Sequence, residues 1–72
     1  MDIKTLRLQV GMSRIMLASA AGISRFRLYE SEKGLRKLTP EELAACERAL
    51  AAELAKYVRC AQALQERRAE AQ

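Results

Sequence analysis

The side chains with most chemistry to offer lie between Ser13 and Gly34, in SRIMLASAAGISRFRLYESEKG. Read as two short helices joined at Ala21-Gly22-Ile23, this stretch puts Ser13 and Ser24 at helix starts. There each hydroxyl can accept an orphan backbone N–H one turn further in. Gly22 supplies the residue with φ > 0 that leaving one helix and starting another usually requires. Leu17, Ala18 and Ala21 can form the inner face of the first helix, met by Ile23 and Leu28 from the second. Arg25, Arg27, Tyr29 and Glu30 are left on the remaining faces, a basic, hydrogen-bonding edge on an apolar seat. The charge distribution agrees with a binding role. Residues 1–37 hold eight Lys or Arg against Asp2, Glu30 and Glu32, a net +5, whereas residues 38–72 hold five against six, a net −1. Positive charge gathered around one helix is a stronger pointer to nucleic acid than the overall +4.

Catalytic chemistry has little to work with. The chain has no histidine and two cysteines, Cys46 and Cys60, whereas a zinc site needs about four ligands and short-spaced Cys/His pairs. Both cysteines read as small buried or half-buried helical residues. No catalytic cluster of carboxylates or of Ser and Lys is visible, so the chain is expected to be no enzyme and to need no cofactor or metal. With no signal peptide and no apolar run near the ~18–20 residues of a membrane span, a cytoplasmic protein with reduced thiols is expected.

The elements that must position this edge are helical. Seventy-two residues, one proline and little β-branched content point to an all-α chain. A chain of this size buries only roughly 60% of its unfolded surface, so a partner or oligomer is plausible on stability grounds. Ile3, Leu6, Arg7 and Val10 repeat at helical spacing between Asp2, a cap, and Gly11, a stop. Met12, Ile15 and Met16 read as core or half-core residues around the second helix. GLRKL, residues 34–38, is a connection with Arg36 and Lys37 exposed and Leu35 and Leu38 available to the core. Thr39-Pro40-Glu41-Glu42 then opens a helix with a capping box, a proline at the first position and two acids at the positive end of the dipole.

Nothing stops that last helix before about residue 68, at ~1.5 Å per residue a span of roughly 43 Å. A compact globule of this length is roughly 30 Å across, so the distal part must overhang. It stays amphipathic: Leu43, Leu50, Tyr57 and Leu64 recur every seven residues, with Leu54 and Ala61 in the alternate slots that Glu47 and Arg68 interrupt. Such a repeat marks a helix–helix seam. Residues 1–54 are expected to form the domain, with Leu43 to about Leu54 packing on it, and residues 55–72 to be distal helix and frayed tail. Leu54, Tyr57, Ala61 and Leu64 would meet a second protomer; the alternative is a kink or fold-back near Ala51-Ala52.

The segment resembles the helix-turn-helix of the Cro and lambdoid repressor family, also called xenobiotic-response-element-like. Ser13 opens the first helix of the pair, Leu17-Ala18 is its apolar-Ala pair, Gly22 makes the turn, Ile23 follows, and the recognition helix ends in Glu32-Lys33-Gly34. Upstream, Arg7 falls where the family has an arginine that pairs with the glutamate matching Glu32. The likeness covers residues 3 to about 50. Two positions depart from the pattern. Ser31 stands where a bulky apolar residue is usual, so that Leu35 or Leu38 must fill the space. Arg14 replaces the usual glutamine, so the amide contact expected there does not carry over.

The resemblance implies three short helices plus a long C-terminal helix, with the start of the third in the major groove. Base contacts are then expected from Arg25, which can bond guanine bidentately, from Phe26, facing a thymine methyl or turned into the core, and from Glu30, accepting from cytosine or pairing with Arg27 or Lys33. Phosphate contacts are expected from Ser13, Arg14, Ser24, Arg27, Tyr29, Lys33, Arg36 and Lys37. Arg7 and Glu32 would form a structural ion pair. The function so implied is a regulator of transcription that binds double-stranded DNA, as a dimeric repressor on an inverted repeat with half-site centres near ~34 Å. A different class of function, an antitoxin or adaptor docking its long helix on another protein, fits the same tail.

Overall fold

Each of the first three helices starts on a side chain placed for that task. The Asp2 carboxylate accepts the Thr5 N–H at 2.8 Å, the Ser13 hydroxyl accepts that of Met16 at 3.1 Å, and the Ser24 hydroxyl accepts that of Arg27 at 3.1 Å. The computed structural model describes residues 2–71, in which these caps open α1 (Ile3–Val10), α2 (Arg14–Ala21) and α3 (Arg25–Glu32), followed by α4 (Pro40–Ala71). Gly11 and Gly22 close α1 and α2 in the left-handed region, at φ 85° and 72°. There a Cβ would strain the backbone. At the start of α4 the expected capping box forms: Glu42 accepts the Thr39 N–H at 2.9 Å and the Thr39 hydroxyl accepts the Glu42 N–H at 3.1 Å.

The core is thin. Leu17, Leu28 and Cys46 are fully buried, Met12, Ala18 and Leu50 nearly so, and Ile3, Leu6, Val10, Ala21, Ile23, Leu38 and Ala49 pack around them. Leu17 and Ala18 from α2 and Leu28 from α3 therefore meet as their spacing predicts, with α4 as the floor.

Several apolar residues fall elsewhere than expected. Ile15 and Met16 are 61% and 50% exposed, because one turn of helix can turn only one side inward and Leu17 with Ala18 take it. Leu35 points into solvent, while Leu38 packs on the core, and Ser31 and Leu38 line one groove together. Phe26 takes the outward of its two expected positions, 68% exposed. Cys60 is exposed, unlike Cys46. On α4 the packing line is Cys46, Ala49 and Leu50; Leu43 stands at its rim and Leu54 outside it. At ~100° per residue, Leu43 and Leu54 lie about 60–80° round the helix from Cys46; of the seven-residue line Leu43, Leu50, Tyr57 and Leu64, Leu50 alone is buried, so that line follows the edge of the face that covers the domain.

α4 is a single helix of 32 residues with no break near Ala51-Ala52. Every described side chain from Leu54 to Glu70 is exposed. The molecule measures 53 × 19 × 18 Å with a radius of gyration of 15.3 Å, against about 11 Å for a compact chain of this length. The overhang accounts for the difference.

Candidate nucleic-acid interface

The geometry of α2 and α3 is fixed from beneath by charge as well as by apolar packing. Arg7, buried in α1, donates through Nε and Nη2 to the two Glu32 carboxylate oxygens at 2.8 and 2.9 Å, and through Nη1 to the Met12 carbonyl at 2.9 Å. Both partners are almost wholly enclosed, with side chains 8% and 5% exposed. The fork ties α1 to the end of α3 and to the turn before α2. It satisfies a charge that would be costly to bury alone.

A second fork joins α3 to α4. Arg27 donates to both oxygens of Glu42, at 2.5 and 2.6 Å, and Glu42 also takes the Thr39 N–H. Glu42 is held down to about 2, first by the hydrogen bond from Arg27 and then by that from Thr39; the same pairing raises Arg27 above its ordinary value. The guanidinium expected on a DNA phosphate thus lies against α4. Its proximity to Glu42 was not legible from the sequence, since the residues are 15 positions apart and each already satisfied a local rule.

Above these supports, Ser13, Arg14, Ile15, Arg25, Phe26 and Tyr29 line one notch between the start of α2 and the start of α3. Arg25 and Phe26 stand side by side, with the guanidinium carbon 5.8 Å from the ring centroid. Tyr29 is flanked by Arg14 at 5.1 Å and Lys33 at 5.6 Å, cations over its ring. Arg14 also approaches Glu32 at 3.8 Å, while its side chain stays 42% exposed. Ser13 and Ser24 accept backbone N–H groups as caps, which leaves each hydroxyl proton available to a donor role. Ile15, expected in or near the core, sits in this notch instead.

Glu30 pairs with Arg36 at 2.9 Å, rather than with Arg27 or Lys33. The two residues are thus engaged with each other at the far end of α3. Among the described residues Arg25, Lys33 and Lys37 take part in no ion pair, so their charges face solvent unneutralised. A carboxylate-free notch with an exposed Arg and an exposed aromatic ring at a capped helix start can meet phosphate oxygens and base edges together.

No helix among the described residues is long and apolar enough to cross a membrane. No curated protein and no solved structure matches the chain. A family model described as helix-turn-helix matches residues 3–57, from the start of α1 into α4. The fold, the buried Arg7–Glu32 fork and this match together mean that the chain belongs to the helix-turn-helix family of Cro and lambdoid-repressor type, a family of DNA-binding regulators and not of enzymes.

Proposed function

We propose that the protein is a dimeric transcriptional repressor that reads an inverted-repeat operator through Arg25 and Phe26, acting in the cytoplasm. The observation that carries this reading is the notch itself: an unpaired arginine and an outward aromatic ring at the capped start of α3, beside the capped start of α2. Arg25 would read guanine and Phe26 a thymine methyl, while Ser13, Arg14, Ser24, Tyr29, Lys33 and Lys37 hold phosphates. Arg27 is left out of that set because Glu42 occupies it. Glu30 and Arg36 join it only by giving up each other.

A single module of this size makes too few contacts for tight selective binding at physiological salt. The exposed line Leu54, Tyr57, Ala61 and Leu64 supports a two-fold pairing that brings a second reading head. The same line would serve an antitoxin or adaptor docked on a different protein. Sedimentation of the purified chain separates the two readings, since only the first expects a dimer without added partner.

The test of the DNA reading is a pair of variants measured on specific and random duplexes in the same salt. Arg25→Ala is expected to weaken operator binding by roughly 1–3 kcal/mol and relax preference at one base pair. Lys37→Ala is expected to weaken all sequences alike. Equal losses on both duplexes from both variants would sink the assignment.

A further inference from the structure

The overhang of α4 is an amphipathic face left largely open by its own protomer, although the Tyr57 hydroxyl reaches back towards Gly11: Leu54, Tyr57, Val58 and Leu64 are 52%, 47%, 50% and 58% exposed. Its occupant can be argued from the charges that interrupt it. The seam runs through the slots 43, 50, 57, 64 and 47, 54, 61, 68, of which Leu50 is covered by its own domain, so the open part begins at 54. Two of these positions are charged, Glu47 at the domain end and Arg68 at the far end. If two copies ran parallel and in register, Glu47 would meet Glu47 and Arg68 would meet Arg68. Tyr57 would face Tyr57 while Ala61 faced Ala61, leaving a crowded layer beside an empty one.

Running the copies in opposite directions removes both conflicts. One two-fold axis near residue 59 sets Leu54 against the partner's Leu64 and Tyr57 against the partner's Ala61, large against small. The same axis brings Glu47 within about one turn, ~5 Å along the axis, of the partner's Arg68. Parallel pairing offers no such attraction.

We infer that the occupant is a second copy of this chain, lying antiparallel across residues 54–64, with Glu47 and Arg68 as the charge lock that fixes direction. The inference rests on the dimeric reading above and specifies its geometry. Each interrupting charge is then a device for orientation, in the way that polar residues and flanking charges set pairing in helical seams. The two domains come to lie at opposite ends of the helix pair.

The experiment first asks whether the chain is a dimer and then which way the helices run. Sedimentation of the unmodified chain that shows only monomer would overturn both the dimer and this inference. With a dimer in hand, Cys60→Ser with Ala69→Cys leaves one accessible thiol for a spin label, since Cys46 is fully buried. Antiparallel pairing predicts a label-to-label distance of about 30 Å, from ~1.5 Å per residue over the offset between position 69 and its counterpart opposite position 49. A distance below about 20 Å, as two helices ~10 Å apart side by side would give, overturns the direction and leaves the dimer standing. Charge reversal gives the second measurement. Glu47→Arg and Arg68→Glu should each weaken dimerisation roughly tenfold, and the combination should restore it. Single reversals without effect would overturn the lock.

Discussion

At the scale of single residues, a side chain's charge or size says less than what already holds it. Arg7 and Arg27 are both arginines of the helix-turn-helix head, yet each is forked onto a carboxylate, at Glu32 and Glu42. Arg25 is not. Arg7→Ala is expected to destabilise the fold by roughly 3–5 kcal/mol, because it strands Glu32 in an enclosed site, without changing which sequence is bound. Thermal melts and a binding-site selection check the two halves; an unchanged melting temperature with lost binding would move Arg7 to the interface. The cysteines divide in the same way. Burial pushes the Cys46 thiol up, with the Glu42, Glu32 and Glu47 carboxylates adding to it, so a thiol reagent should modify Cys60 at once and Cys46 only on unfolding. Mass spectrometry of the briefly labelled native protein should find one adduct, at Cys60. The caps and Arg7 were legible from sequence because each rests on a short spacing or a compact motif. Ile15 and Met16 were not: IMLASAA has only Ser19 to mark an outer side, so residue type alone could not say which apolar groups turn inward.

Elements here are held to one another by polar forks laid over a thin apolar core. The link between α3 and α4 depends on the Arg27–Glu42 pair, and its dependence on acid has a definite sign. Glu42 titrates lower in the folded chain, at about 2, than its ordinary 4.5, so the unfolded chain binds the proton more readily. The contribution is therefore complete above about pH 5. It fades as pH falls from 4.5 towards 2 and returns as pH rises. Glu42→Gln should flatten that part of the stability–pH profile measured by circular dichroism, with Thr39→Ala, which loses only the cap, leaving most of it. A profile of Glu42→Gln that still falls as steeply through this window would assign the acid sensitivity elsewhere. The extent of each helix was legible, since α1 to α4 begin at side chains suited to capping and α1 and α2 end at glycines. How α4 is rotated on the domain was not. Cys46, Ala49 and Leu50 cover the core, so the seven-residue line Leu43, Leu50, Tyr57 and Leu64 enters it at Leu50 and leaves it on either side, and a sequence repeat records one line without saying which neighbour it belongs to.

The whole molecule is a small head on a rod, 53 Å long and less than 20 Å wide. If the rod joins two heads, Tyr57→Glu with Leu64→Glu should split the dimer and lower operator affinity towards that of one half-site, while leaving the melting of the head nearly unchanged. Inserting about five base pairs between half-sites should cost a similar amount by turning one head to the far side of the duplex. Gel-shift titration of both perturbations, alone and combined, checks this; additive losses would mean that they act separately. The exposed stretch of α4 has a further consequence in time. A helix whose side chains are largely exposed from Leu54 onward is held mainly by its local hydrogen bonds, and isolated helices of this length are marginal in water. In a lone protomer the amides beyond Leu54 should exchange with solvent hydrogen rapidly, and the same segment should be the first cut by a protease. The proposed pairing would close both routes. The lifetime of a protomer would then rise with its own concentration, so that newly made chains below the pairing threshold are cleared quickly and those above it persist.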